Sequence, residues 1–357
     1  MVLVCIVALL GFSLVAADGG QAVSEGPVPL IIDTDIFSDA DDVGALATAF
    51  GLQLRGEAKV VGIAVNTRTS RPDVATNSSK CVAAVAQFYG AATVPIGSDT
   101  PMDGTATTTP DFIGPCAAKA SPSTPAPDTA VDMYRRALAA QSNASVVIAS
   151  IGYTENLAAL LASPADAVSP LTGRALVTQK VRSLVIMAGT FPTGSGENNL
   201  IGNPTAAQTV ADGWPTKVVW SGSEVGDAVH TGNTFSTVHP TNSPVRAAYE
   251  AFAGRGSWIY SYDLTAVYHA TRPDDTLLTE VGPGTNAVTS TGANAFTTGA
   301  GNQYYLTVTD TTTLDSAIEA LLDTFPPDTA RPPLPPSTAE PVIATTTPAN
   351  HHVHTGP

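Results

Sequence analysis

The chain has 357 residues, 43% hydrophobic and only 13% charged, a globular composition that excludes a disordered protein and suits one large α/β domain or two small ones. Its formal net charge of −15 works against nucleic acid and anionic membrane surfaces as partners. A neutral small molecule or a cation remains compatible with it.

The elements, taken in chain order, begin with a nearly unbroken apolar run, Val2 to Val15, followed by Val15-Ala16-Ala17. Small residues at those positions mark a signal peptide over 1–17, cleaved before Asp18, and so predict a secreted, extracellular protein with no membrane attachment afterwards. Val28 to Ile32 reads as a buried strand. Val43, Leu46, Ala47, Phe50 and Leu54 then recur along one face of a helix. Strands follow at Lys59 to Val65, Thr93 to Ile96, Ser145 to Ile151, Val181 to Met187 and Lys217 to Trp220. Helical patterns fall at Val74 to Tyr89, Met133 to Ala140 and Glu155 to Leu161.

Residues 98–127 are rich in Thr, Pro and Ala and read as a long surface excursion. Leu314, Ala317, Ile318, Leu321, Leu322 and Phe325 mark a closing amphipathic helix. Strands alternating with helices predict an α/β fold: a mostly parallel open sheet with helices on both faces, Rossmann-like, over 27–325. Residues 326–357 are a Pro/Thr-rich segment ending in His351, His352 and His354. They predict a disordered, solvated tail rather than a metal site. With Cys5 removed by cleavage, Cys81 and Cys116 form an even pair in an oxidising compartment and predict a disulfide.

The chemistry is concentrated in Asp33-Thr-Asp35-Ile-Phe-Ser-Asp39-Ala-Asp41-Asp42, at the end of the first strand and the start of the first helix. A helix N-terminus accounts for one or two acidic residues but not for five. Crowded carboxylates repel one another, and a hard divalent cation such as Ca²⁺, which takes about 6–8 oxygen ligands, removes the repulsion. A haloacid-dehalogenase-like phosphatase also places Asp-x-Asp after its first strand. It would need a later Lys and a second acidic motif, and Gly226-Asp227 lacks the second Asp.

Here the sequence resembles the inosine-uridine-preferring nucleoside hydrolase family, which opens with a strand and Asp-x-Asp-x-x-x-Asp-Asp-x-x-Ala-Leu. Val43-Gly44-Ala45-Leu46 aligns Asp41 and Asp42 with the family's pair and leaves Asp39 as an additional residue. Further segments match in order. Val60 to Asn66 looks like the second strand with its ribose-contacting Asn. Ile151-Gly-Tyr-Thr-Glu-Asn-Leu157 looks like the Gly-Pro-Leu-Thr-Asn-Leu turn. Met187-Ala-Gly189 with Glu197-Asn-Asn199 looks like the ribose site, and Ser261-Tyr-Asp263-Leu-Thr-Ala-Val267 like the segment that returns a metal ligand.

The resemblance implies Ca²⁺ held by Asp35, Asp42, Asp263 and the backbone carbonyl of Glu155, with Asp35 as general base. It implies that Asp41, Asn66, Glu197 and Asn199 hold the sugar hydroxyls, and that a nucleoside is cleaved to ribose and free base. A homo-oligomer is compatible with it. The chain departs from the family at Tyr262, where many members carry His or Trp, and at Thr265, where they carry Pro. The family's Asn upstream of Glu197 is replaced within Phe191 to Gly196. Tyr262, a weak acid near neutral pH, is expected to position the base rather than to protonate it. The alternative reading is a secreted non-catalytic or degenerate nucleoside- or ribose-binding member of the same fold.

Overall fold

The structure, a computed structural model, describes residues 26–327 apart from 100–110 and 123. The expected signal peptide and most of the expected tail lie outside the described residues. Among the described residues twelve strands are present: β1 (Val28–Thr34), β2 (Ala58–Val65), β3 (Ile96–Ser98), β4 (Val146–Ile151), β5 (Val181–Met187), β6 (Thr193–Gly194), β7 (Lys217–Ser221), β8 (His230–Thr231), β9 (Ile259–Tyr260), β10 (Leu278–Val288), β11 (Asn294–Thr298) and β12 (Gln303–Val308). Ten form one sheet in the order β3-β2-β1-β4-β5-β7-β12-β10-β11-β6, and β8 pairs separately with β9.

From β3 to β12 neighbouring strands run parallel, while β10, β11 and β6 add an antiparallel edge. The order confirms the mostly parallel sheet. The antiparallel edge went unread because its strands expose alternate residues, so they lack the continuous apolar run of a strand covered on both faces.

In β1, buried along most of its length, side chains alternate between two cores. Leu30 and Ile32 join the core beneath helices Asp41–Leu54, Pro72–Phe88, Tyr262–Thr271 and Thr311–Leu322. Ile31 joins the core on the opposite face, beneath helices Ala130–Ala139, Glu155–Ala162 and Pro204–Gly213. Helices therefore cover both faces. No helix among the described residues is long and apolar enough to cross a membrane.

Two readings of the sequence are corrected. The third strand starts at Ile96, not Thr93. The excursion after it is partly structured: helix Ile113–Ala117 packs on Pro72–Phe88, and the two are joined by a Cys81–Cys116 disulfide. Apolar Ile113 and Cys116 are buried there, a signal hidden by the surrounding Thr, Pro and Ala. The bridge itself was expected.

Parallel register sets the position of the site. Thr34 pairs with Val65 on one side and Ile151 on the other. Ser150 pairs with Ile186, and Met187 with Ser221. Five central strands therefore end level with one another, and the residues that follow, Asp35, Asn66, Gly152, Ala188 and Gly222, share one rim. The chain order reverses between β1 and β4, so the crevice opens at a switch point of the sheet.

Candidate active site

A pocket at this rim is lined by Asp35, Ser38, Asp39, Asp41, Asp42, Ile151, Met187, Glu197, Asn198, Asn199, Ser223, Tyr262 and Asp263. The sequence reading named Asp35, Asp41, Asp42, Glu197, Asn199, Tyr262 and Asp263 for this site, and the fold brings all seven together from three separate segments.

Asp35 is the first residue beyond β1, and its side chain is buried along the pocket wall. Gly152 beyond β4 lies so close that a Cβ there would fall 2.5 Å from the Asp35 nitrogen and 2.9 Å from Oδ1. Only glycine leaves room for this carboxylate. Asp41 and Asp42 occupy the first turn of helix Asp41–Leu54, and Asp263 the first turn of helix Tyr262–Thr271. Two positive helix ends thus converge on the carboxylates. The Asp263 N–H donates to Asp41 Oδ2 at 3.0 Å, and the Thr34 hydroxyl donates to Asp42 Oδ1.

These contacts do not offset the crowding. Burial, then repulsion from Asp42, Asp39 and Glu197, holds the Asp35 pKa well above the usual carboxylate range. Burial and neighbouring aspartates do the same to Asp41, Asp42 and Asp263. Carboxylate oxygens of Asp39, Asp41 and Asp42 lie within 4.8 Å of one another. An all-oxygen anionic donor set of this density fits a hard cation. Asp39, one of the five carboxylates the sequence groups together and additional only to the family's motif, belongs to the cluster.

Asp33 does not belong to it. In β1 it points with Ile31 to the opposite face, where its carboxylate accepts from Tyr134 Oη at 2.7 Å and Asn156 Nδ2 at 2.9 Å. Burial raises its pKa to about 7.

Across the pocket, Glu197 caps the short helix Asn198–Ile201, accepting from the Asn199 N–H at 2.9 Å and the Gly189 N–H at 3.0 Å. Burial pushes it up to about 7. Asn199 Nδ2 donates to the Met187 carbonyl at 3.0 Å.

Asn66 and Glu155 stand beside the pocket rather than among its lining residues. Asn66 Nδ2 donates to the Tyr153 carbonyl at 3.1 Å and to Glu155 Oε2 at 3.0 Å. Its Oδ1 is buried without a hydrogen-bond partner. The Glu155 side chain turns to Arg68, 2.6 Å away. The expected role of Glu155 concerns its backbone carbonyl, which this ion pair leaves out.

Tyr262 donates its hydroxyl to Asp227 Oδ1 at 2.7 Å, and burial, reinforced by Asp227, drives its pKa upward. The sequence shows Asp227 only as part of an incomplete acidic motif; its pairing with Tyr262 depends on helix Ser223–Asp227 packing against helix Tyr262–Thr271.

Comparisons with known proteins agree with this geometry. The model of the inosine-uridine preferring nucleoside hydrolase family matches residues 30–318. The chain is similar in fold to an inosine-uridine preferring nucleoside hydrolase from Bacillus anthracis, with a TM-score of 0.63, 12% identity, and 83% of this chain and 99% of that chain covered. It is similar to an inosine-guanosine nucleoside hydrolase, with a TM-score of 0.62, 18% identity and coverage of 84% and 99%. It is also similar to the type III effector protein XopQ, solved in complex with adenosine diphosphate ribose, with a TM-score of 0.59, 16% identity and coverage of 83% and 92%. No curated protein matches the chain by sequence. With the family's model matched from β1 to the closing helix and its acidic residues gathered at one rim, the chain belongs to the inosine-uridine preferring nucleoside hydrolase family, glycosidases that act on N-glycosyl bonds.

Proposed function

We propose that the chain is a secreted, Ca²⁺-dependent nucleoside N-ribohydrolase that converts a nucleoside and water to ribose and free base. The observation that carries this reading is the convergence of Asp35, Asp39, Asp41, Asp42 and Asp263 opposite Glu197 and Asn199 at the strand ends. The Cys81–Cys116 bridge supports an oxidising compartment and hence secretion.

Asp35, Asp42 and Asp263 would hold the cation, with Asp39 adjacent and the Glu155 carbonyl as the expected backbone ligand. When bound, such a cation offsets the carboxylate charge and lowers the pKa of water in its shell. Asp35 accepts the proton of the attacking water on a carboxylate oxygen, as general base. Asp41, Asn66, Glu197 and Asn199 hold sugar hydroxyls. The surrounding negative charge favours the positive charge that develops on the sugar ring as the bond to the base breaks. Tyr262, whose proton is engaged by Asp227, orients the base by its ring.

Ribose release from inosine and uridine, measured with EDTA and after Ca²⁺ is restored, tests the reading. Release that stops with the chelator and returns with Ca²⁺ is expected. Nucleoside binding without any ribose release would instead establish the non-catalytic alternative.

A further inference from the structure

The sequence carries two Asn-x-Ser triplets, Asn77-Ser78-Ser79 and Asn143-Ala144-Ser145. Such triplets accept an N-linked sugar in secreted chains, and the sugar is bulky and polar, so it must lie at the surface. The fold treats the two triplets differently.

Asn77 lies in the second turn of helix Pro72–Phe88 and is partly buried. Its neighbour Ser78 is buried, with its hydroxyl donating toward the carbonyls of Ile36 (2.9 Å) and Val74 (3.0 Å). One turn further on, Cys81 ties the same helix to Ile113–Ala117. This triplet is fixed within a packed helix.

Asn143 lies in an exposed turn between helix Ala130–Ala139 and β4, with Ser142 and Ala144 exposed beside it. Ala144 is in the left-handed region, with φ 50°, and the backbone around it is pinned to the start of β5. The Ala144 N–H donates to the Gln179 carbonyl at 2.9 Å, and the Ser145 N–H to the Lys180 carbonyl at 3.1 Å. The Ser145 hydroxyl donates to the Ser142 carbonyl at 2.8 Å. The Asn143 side chain hydrogen-bonds no other described residue. This turn stands at the amino end of β4, and the opposite end of that strand reaches the pocket at Ile151. At about 3.3 Å per residue, the strand puts roughly 20 Å between them, so a group on Asn143 clears the pocket.

We propose that Asn143 is an N-glycosylation site and that Asn77 is not. The inference rests on the proposed secretion, taken through a eukaryotic secretory pathway. The donor is an oligosaccharide carried on a lipid diphosphate. Asn143 Nδ2 forms the bond to the anomeric carbon, the bond from that carbon to the diphosphate oxygen breaks, the diphosphate leaves with the electron pair, and one amide proton passes to a base.

The full chain, made in cultured eukaryotic cells and collected from the medium, tests this. Treatment with a glycosidase that releases N-linked sugars should lower its mass and convert Asn143 to Asp in the corresponding peptide. Asn143→Gln and Ser145→Ala should each abolish the mass change, Ser145→Thr should preserve it, and Asn77→Gln should leave it unaltered. Ribose release should be the same before and after the sugar is removed. Secreted protein whose mass the glycosidase does not change overturns the proposal, as does a mass change that survives Asn143→Gln and is lost in Asn77→Gln. A chain that stays in the cytosol would instead overturn the secretion reading itself.

Discussion

Replacing Asp33 by Asn separates the two kinds of carboxylate in the Asp33–Asp42 segment. Asp33 is fully buried, and burial outweighs its bonds from Tyr134 and Asn156 to raise its pKa from 3.8 to about 7, with small additions from Glu155 and Asp99. At about 1.4 kcal/mol per pH unit, that rise corresponds to roughly 4 kcal/mol. The folded state binds the proton more tightly than the unfolded chain. The associated stability is therefore complete below the unfolded pKa and is lost as pH rises through about 7. Asn mimics the protonated acid at every pH: its Oδ1 can accept from Asn156, and its amide can donate to the Tyr134 hydroxyl. Urea unfolding of both proteins in chelator at pH 5, 6, 7 and 8 should show the variant gaining about 2 kcal/mol on the wild type between pH 5 and pH 7. Ca²⁺-supported ribose release should survive the substitution. A stability difference that stays flat across this range would refute the assignment of Asp33 to the buried face, as would loss of metal-dependent turnover.

The cation reading predicts that Asp35→Asn and Asp42→Asn each lower kcat at least about hundredfold; full activity of the wild type after exhaustive chelation would refute it. Cys81 and Cys116 are 35 residues apart, so replacing both with Ser should cost about 4 kcal/mol by the chain-entropy relation, read from urea midpoints. Two free thiols in unreduced protein by mass spectrometry would contradict the bridge. Inosine should be cleaved far better than its 5′-monophosphate, because Arg68, a cation at the rim, is paired with Glu155; equal kcat/KM for the two would count against this. Tyr262→Phe removes a hydroxyl that donates to Asp227 and should lower kcat on inosine less than about tenfold, whereas a loss of several orders would make Tyr262 the acid that protonates the base.

The parallel half of the sheet was readable because strands such as β4, buried at every position, leave continuous apolar runs. Strands β10 and β11 expose every other residue, and nothing local signals that they return to pair beside β12. The same distinction applies to the site. Asp35, Asp41 and Asp42 were found because they crowd one short segment, and Asp263, Glu197 and Asn199 because their segments matched a known order. Asp33 was grouped with its neighbours because alternation along β1 shows that it faces away from Thr34 but not which face receives helix Asp41–Leu54. Asp227 shows in the sequence only as part of an incomplete acidic motif, because its pairing with Tyr262 depends on one helix packing on another.

The membership of Asp39 in the cluster changes the electrostatic account of catalysis. Asp35, Asp39, Asp41, Asp42 and Asp263 line one pocket, so when ionised their charge exceeds that of a single divalent cation. A resident ion therefore relieves the repulsion without making the pocket neutral or positive. A surplus of negative charge has no value for polarising a carbonyl or holding a phosphate. It suits a reaction whose transition state places positive charge on a sugar ring, because that charge is absent from the neutral nucleoside and appears only as the bond to the base breaks. In the proposed mechanism the carboxylates and the cation thus perform separate tasks: the cation would make it possible to bury the carboxylates together, and the charge left over would favour the transition state relative to the ground state while repelling anionic substrates.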